Sequence, residues 1–384
     1  VNRPAGPCGG EPGTDPWTAA LWDAVTAGDE YAATDIATAA LDEGMDPEVL
    51  MLDVIAPLQA RVGREWAANR MTVAQEHSAT AVNERVIGAV AQHPAVRRRA
   101  GTAERRGRIA VACIDGEWHA LPARLVAEVL RLRGWQVDYL GAQVPTPHLI
   151  SHVHRTGPAA VALSSSIATR LPAAHAAVTA CQATGTPVLV GGGAYGHDGR
   201  YAALLGADAW APDARAAADR LARGPLPKPK PVHRVIDDLP HLADHAYAHV
   251  TREAPQLIRH VLGGLRARAP ETARYTDEQR NRMAEDISHI VEFLGTALYL
   301  DVPDLFTEFM TWTVDILDAR GVPPGSLLLA LDLLYEQVGG YPRATGLISR
   351  AHAAVRERLP NTGRGDSGRV LEGDAEGPGP GSTP

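Results

Sequence analysis

Apolar residues recur at three-and-four spacing along four early segments: WTAALWDAVTAG, EYAATDIATAALDEG, EVLMLDVIAPLQARVGREWAA and AQEHSATAVNERVIGAVAQ. That period gives a helix one buried face. Gly and Asp punctuate between the segments, where helices stop and start. The four predict a helical-bundle cap over residues 15–95. Between residues 106 and 224 the pattern changes. The short runs RIAVACI, WQVDYLG, AAVALSSS, PVLVGGG and DAWAPD alternate with helical stretches such as PARLVAEVLRLRG and LPAAHAAVTACQATG. Short strands alternating with helices predict a parallel sheet covered on both faces. Five of them predict a flavodoxin-like, doubly wound domain. From 237 to 360 the helical period returns with no convincing strand, in segments such as DEQRNRMAEDISHIVEFLGTALYL and PDLFTEFMTWTVDILDARG. This third region is expected to be all-α.

The joins are read from composition. HPAVRRRAGTAERRG is a charged linker behind the bundle, and residues 225–236, around GPLPKPKP, form a stiff proline-rich one. The ends, 1–14 and 361–384, are rich in Gly and Pro, cannot bury apolar surface, and are expected to be disordered. A chain 45% hydrophobic and 21% charged suits a soluble globular protein. No apolar run reaches the roughly 18 residues of a membrane span, and the first residues lack the apolar core of a secretory signal. A cytoplasmic protein is expected. A net charge of −8 without a dense Lys/Arg tract argues against a nucleic-acid surface. Three scattered cysteines, Cys8, Cys113 and Cys181, argue against a disulfide framework.

In open α/β sheets ligands bind beyond the carboxyl ends of the strands, and polar residues gather there. Glu117, Trp118 and His119 follow the first strand. Ser164, Ser165, Ser166 and Thr169 follow the third, and Gly191, Gly192 and Gly193 the fourth. Glycines let backbone approach a flat ligand, and hydroxyls bond its polar rim. In the bundle, Trp66 precedes the pair Glu76 and His77 by ten positions. Each feature alone has an ordinary reading: an exposed loop histidine, a core tryptophan, solvated helix residues, a glycine loop of the kind that cradles phosphate. Together, an indole above and an imidazole below suit one large flat ligand.

The order of His loop, Ser/Thr loop, Gly-Gly loop and GADAWAPDA resembles the cobalamin-binding domain of methionine synthases and corrinoid proteins. In that family the loop reads Asp-x-His-x-x-Gly, and its histidine replaces the ligand's own dimethylbenzimidazole beneath cobalt. Here it reads Glu117-x-His119-x-x-Pro122. The resemblance therefore implies His119 as the lower axial ligand, with Glu117 orienting the imidazole. The Trp-x9-Glu-His pattern resembles the adenosylcobalamin-dependent photoreceptors, in which the Trp packs on the adenosyl group and the Glu-His pair lines the same space. Some of these carry a histidine directly after the tryptophan; this chain has Ala67. Those that act as repressors have a helix-turn-helix ahead of the bundle. Fewer than twenty loop-like residues precede it here, so direct repression is not expected.

A helical domain behind such a module resembles photocobilins, which pair a cobalamin domain with a globin-like, bilin-binding domain. With no cysteine beyond Cys181, a thioether-linked bilin is excluded there and biliverdin would be held without a covalent bond. Met283, Ile287, Ile290, Val291, Leu294 and Leu298 form an apolar stripe. Asp286 borders it, with His289 one turn away, next to Phe293. His260 is a further candidate, and Arg280, Arg282 and Arg259 are candidates for propionate pairing. A haem globin with His260 or His289 as proximal ligand is a rival. So is a ligand-free dimerisation bundle burying Phe306 and Trp312 between subunits.

The expected function is a light sensor, not an enzyme, using adenosylcobalamin and a bilin and acting on a downstream signalling partner, with a homodimer as a candidate assembly. The alternatives are a corrinoid methyl carrier serving separate methyltransferases and a B12-responsive adaptor without photochemistry.

Overall fold

Along the strand β1 (Arg108–Cys113), successive side chains point to opposite faces of a sheet, and the two faces belong to different cores. Ile109, Val111 and Cys113 join a cluster that includes Leu21, Met51, Ile55 and Val86 of the N-terminal helices. Ala110 and Ala112 join one that includes Leu294, Phe306 and Leu334 of the C-terminal helices. The sheet is thus a partition shared by three regions. The computed structural model describes residues 16–229, 239–269, 275–320 and 325–359. The predicted disordered ends and most of the proline-rich linker lie outside the described residues.

The N-terminal bundle contains α1 (Pro16–Ala27), α2 (Glu30–Asp42), α3 (Pro47–Val49), α4 (Ala56–Ala67) and α5 (Val73–Gln92). A π-helical stretch, Leu50–Ile55, joins α3 to α4, so 47–67 is one continuous helical rod. Asp46 opens it by accepting from the amides of Glu48 and Val49, with Pro47 at the first helical position. Thr72 and Gln75 open α5 with a reciprocal capping box. The stretch expected to be a charged linker is partly a helix, α6 (Pro94–Thr102). Its single buried residue, Val96, docks it on the bundle core, too weak a periodic signal to read from sequence.

The sheet contains β1, β2 (Gln136–Gly141), β3 (Ala160–Ser164), β4 (Val188–Gly191) and β5 (Ala209–Ala211). All pairs are parallel, in the order β2-β1-β3-β4-β5. This is the expected flavodoxin-like topology. The crossovers are α7 (Ala120–Leu132), α8 (Thr146–Thr156), α9 (Leu171–Ala183) and α10 (Arg200–Leu204), with α11 (Ala214–Ala222) closing the fold. Buried residues of α7 and α11 join the core shared with the bundle, while those of α8 and α9 join the core shared with the C-terminal helices.

Among the described residues five helices follow: α12 (Ala246–Arg268), α13 (Asp277–Leu300), α14 (Pro303–Ala319), α15 (Gly325–Gln337) and α16 (Pro342–Arg358). The predicted stripe on α13 is buried at Ile287, Ile290, Val291, Leu294 and Leu298. Phe306 is fully buried within its own chain and Trp312 is half exposed, so Phe306 has no surface to offer a second subunit. The third region packs on the sheet domain rather than hanging from its linker. His175 on α9 and the Tyr299 hydroxyl on α13 are both buried and 2.8 Å apart at Nδ1.

The bundle is pinned to the sheet domain by charge. Glu48, almost fully buried, takes hydrogen bonds from Arg133 Nη2 and Nε at 2.7 and 3.0 Å and from Arg215 at 3.3 Å. Arg133 also pairs with Asp219, and Arg215 with Asp53 at 2.9 Å. Hydrogen bonds from Arg133 hold the Glu48 carboxyl below its ordinary value of 4.5, against the opposing effect of burial. A depressed carboxylate stabilises the fold in full above that ordinary value and loses its contribution as pH falls below it. Glu48→Gln should cost about 2 kcal/mol at pH 7. The gap between variant and parent should close as pH drops below 4.5, which thermal unfolding at pH 7, 5 and 3.5 checks.

Candidate functional site

β1 runs out at the carboxyl edge of the sheet into a turn at Asp115–Gly116, and the next residue, Glu117, folds back into the protein with only 1% exposure. Its carboxylate joins two loops. Oε1 accepts from the His119 amide at 2.9 Å and faces His119 Nδ1 at 2.6 Å. Oε2 accepts from the amides of Ser166 at 2.7 Å and Ile167 at 3.3 Å and from the Ser165 hydroxyl at 3.3 Å. Burial opposes ionisation, but the bonds from His119 and Ser166 outweigh it and pull the carboxyl down to about 2. In turn, the hydrogen bond to Glu117 draws the His119 imidazole above its ordinary value. With Nδ1 committed, Nε2 is the ring nitrogen left for a metal. The His119 side chain is 54% exposed, so a ligand can reach it.

The glycine loop lies beside the serine loop. Gly192 has φ +102°, and a Cβ there would lie 2.3 Å from the Ser165 carbonyl oxygen. At Gly191 a Cβ would meet the Ala211 carbonyl at 2.9 Å. Gly193 is looser, 3.4 Å from the Ser166 carbonyl. Below these loops a cavity of about 520 Å³ opens between sheet and bundle. Ser164, Gly191 and Gly192 form its sheet side, Leu121 lines it from α7, and Leu52 and Gln59 wall it from the bundle. Thr169 sits half-buried in the 3-10 turn Ala168–Arg170, and Trp118 is 72% exposed, turned away from the cavity lining.

Trp66, near the end of α4, is half-buried, and Ala67 follows it. Glu76 holds His77 Nδ1 at 2.6 Å and accepts from Thr80 Oγ1 at 2.9 Å, and its charge reaches His119. This end of the bundle is thus within electrostatic reach of the His119 loop. His77 is 74% exposed, so in this arrangement it caps Glu76 instead of lining an enclosed space. Sequence reading missed the chain behind Glu76. Buried Asn83 donates to Gln59 at 2.7 Å, and Gln59 donates to Thr80 at 2.8 Å. Positions 76, 80 and 83 share one face of α5, a spacing that was readable; Gln59 on α4 was not.

The C-terminal candidates have different partners. His260 Nε2 lies 3.1 Å from Gln337 on α15. Arg280 is held at the start of its own helix by Asp277 at 2.6 Å and the Tyr275 carbonyl. Asp286 instead interacts electrostatically with His289 on its own helix and with Arg320, which follows α14. Water reaches Asp286, yet its surroundings push the carboxyl up against the pull of His289 and Arg320. His260, Arg280, Asp286 and His289 thus have different immediate partners, set by how the helices pack.

Among the described residues no group of three or more His, Cys, Asp or Glu side chains is arranged to hold a bare metal ion. One presented imidazole suits a metal that brings its own macrocycle. Residues 17–91 match a family described as a B12 binding domain, and residues 107–222 match a second family of the same description. These stretches are B12-binding domains. The chain is a cobalamin-binding protein, and the residues present fit the cofactor: His119 would offer a ring nitrogen to its metal, Glu117 would orient that imidazole, and the glycine loop lies beside a cavity. It is 26% identical over 149 residues to the trimethylamine corrinoid protein of Methanosarcina barkeri, covering 39% of this chain and 68% of that protein. It is 31% identical over 160 residues to the HTH-type transcriptional repressor CarH of Myxococcus xanthus, covering 40% of this chain and 49% of that one. The cobalamin-binding protein thus spans about half the length of that relative. A monomethylamine corrinoid protein of Methanosarcina barkeri superposes with TM-score 0.46 and 18% identity, over 53% of this chain and 95% of that one. No helix among the described residues is long and apolar enough to cross a membrane.

Proposed function

We propose that this cobalamin-binding protein is a light sensor built on adenosylcobalamin and not an enzyme. The observation that carries the reading is the half-buried Trp66 at the end of the bundle that faces His119. A bulky indole on that side suits storage of a large upper ligand. It suits a methyl shuttle less, because a shuttle must open its upper face to partner enzymes. When bound, the cofactor supplies a cobalt–carbon bond that visible light can break. The chain's part is to hold the corrin between His119 and Trp66 and to house the base that His119 displaces. The cavity beneath Gly191 and Gly192 has the size and apolar walls for that base. Loss of the upper ligand would then free Trp66 and let the bundle shift against the sheet, a two-state change biased by ligand loss. The output would pass to a separate signalling partner or to a second copy of the chain.

Biliverdin is proposed as a second, non-covalent chromophore on the face of α13 and α14 that carries Asp286 and His289. Phe293 and Phe309 stack there with centroids 3.7 Å apart, beside the half-exposed Trp312. The test is the absorption spectrum of protein loaded in the dark with adenosylcobalamin and biliverdin, before and after green light. A corrin change with a red-region band is expected. A corrin band that survives illumination defeats the sensor, and a missing red band removes the bilin alone. The second reading is a corrinoid methyl carrier, favoured by the match over 149 residues to trimethylamine corrinoid proteins. It predicts turnover of methylcobalamin through Co(I) with a methyltransferase and indifference to the adenosyl group.

A further inference from the structure

The C-terminal helical domain touches the cobalamin cleft from two directions. α13 packs against the 3-10 turn Ala168–Arg170, which follows directly on the serine loop bound to Glu117. From the other direction Arg320, the residue closing α14, places its guanidinium carbon 5.5 Å from the centroid of the Trp66 ring. Arg320 also acts electrostatically on Asp286 of α13. No hydrogen bond to the Trp66 indole occurs among the described residues, so packing and this cation hold the ring. A guanidinium over an indole face is attracted by the ring's quadrupole. It also restricts the rotamers of a side chain that stands half in water.

We propose that Arg320 is a positioning residue of the cobalamin site: it fixes the Trp66 indole over the upper face, so the C-terminal domain sets which upper ligand the site prefers. This rests on the reading of Trp66 as the upper wall. A fixed indole presents a flat apolar face to a flat ligand group such as adenine, and stacking there requires the ring in one orientation. Methyl and hydroxyl ligands are too small to stack on it. Arg320 therefore contributes to adenosylcobalamin and leaves the smaller forms unaffected. The side chain is exposed and ends a helix, so its removal leaves the core untouched.

The experiment is equilibrium titration of the full chain in the dark with adenosylcobalamin, methylcobalamin and hydroxocobalamin, followed by the corrin bands. Arg320→Ala should weaken adenosylcobalamin by about three- to ten-fold and change the other two by less than about two-fold. Arg320→Lys should recover part of the loss. Trp66→Leu should remove the adenosyl preference, and adding Arg320→Ala to it should cost nothing more, since the two act as one unit. Equal weakening of all three ligands by Arg320→Ala, no weakening, or additive losses in the double variant would overturn the proposal. If Trp66→Leu abolishes the preference while Arg320→Ala does not, this inference alone fails. If the parent shows no adenosyl preference, or Trp66→Leu leaves it intact, the upper-wall reading fails and Arg320's role with it.

Discussion

Glu117→Ala should lower cobalamin affinity by about 100-fold, the upper end of what loss of a ligand's supporting partner costs. The carboxylate serves two loops at once. Its removal frees the His119 ring to rotate and leaves the amides of His119, Ser166 and Ile167 without their acceptor. Those donors sit where Glu117 is 1% exposed, so the fold should lose about 3 kcal/mol as well. Glu117→Gln separates the effects. It keeps the shape but presents one amide nitrogen to groups that themselves donate, so a loss of about 10-fold in affinity is expected. Titration with hydroxocobalamin, together with thermal unfolding without cofactor, measures both. A full-strength site in Glu117→Ala would show that His119 needs no orienting partner.

Gly192→Ala should be severely damaging where the serine and glycine loops meet. The new Cβ would lie 2.3 Å from the Ser165 carbonyl oxygen, against backbone that cannot swing aside, and φ of +102° is strained for any L side chain. A loss of about 4 kcal/mol is expected. The serine and glycine loops must part to relieve the clash, which deforms the mouth of the cavity and displaces the Glu117 anchor. Binding should fall by at least about 100-fold, equivalent to roughly 3 kcal/mol. Gly206→Ala is the control: φ is +65° there too, but nothing lies within 4 Å of the added carbon. It should cost about 1 kcal/mol and leave cobalamin binding unchanged. Similar losses at both positions would mean that backbone strain, not loop contact, governs the glycine cradle.

The periodic elements were legible because their physics is local. The short continuous apolar run of β1 and three-and-four spacing along α5 and α13 predict strand and helix without reference to anything distant. The Glu117–His119 motif was legible for the same reason: two residues apart, the carboxylate and imidazole meet within one loop. Which neighbour a helix face meets was not legible in the sequence. His260 and Asp286 are both polar positions beside apolar stripes, but one turns to Gln337 and the other to Arg320. The α6 helix was hidden behind three consecutive arginines and a single buried valine.

By itself the sequence determined three things: a helical cap, a parallel α/β sheet with a histidine loop at its carboxyl edge, and a helical third region. It did so because hydrophobic period and loop motifs act over a few residues. The tertiary structure alone decided that the sheet's two faces belong to different helical regions, and that Glu48, about 85 positions before Arg133, locks the first of them. It alone brought Arg320 across some 250 positions to Trp66. Such pairings depend on how whole helices pack, and no short stretch of chain carries the information that selects them.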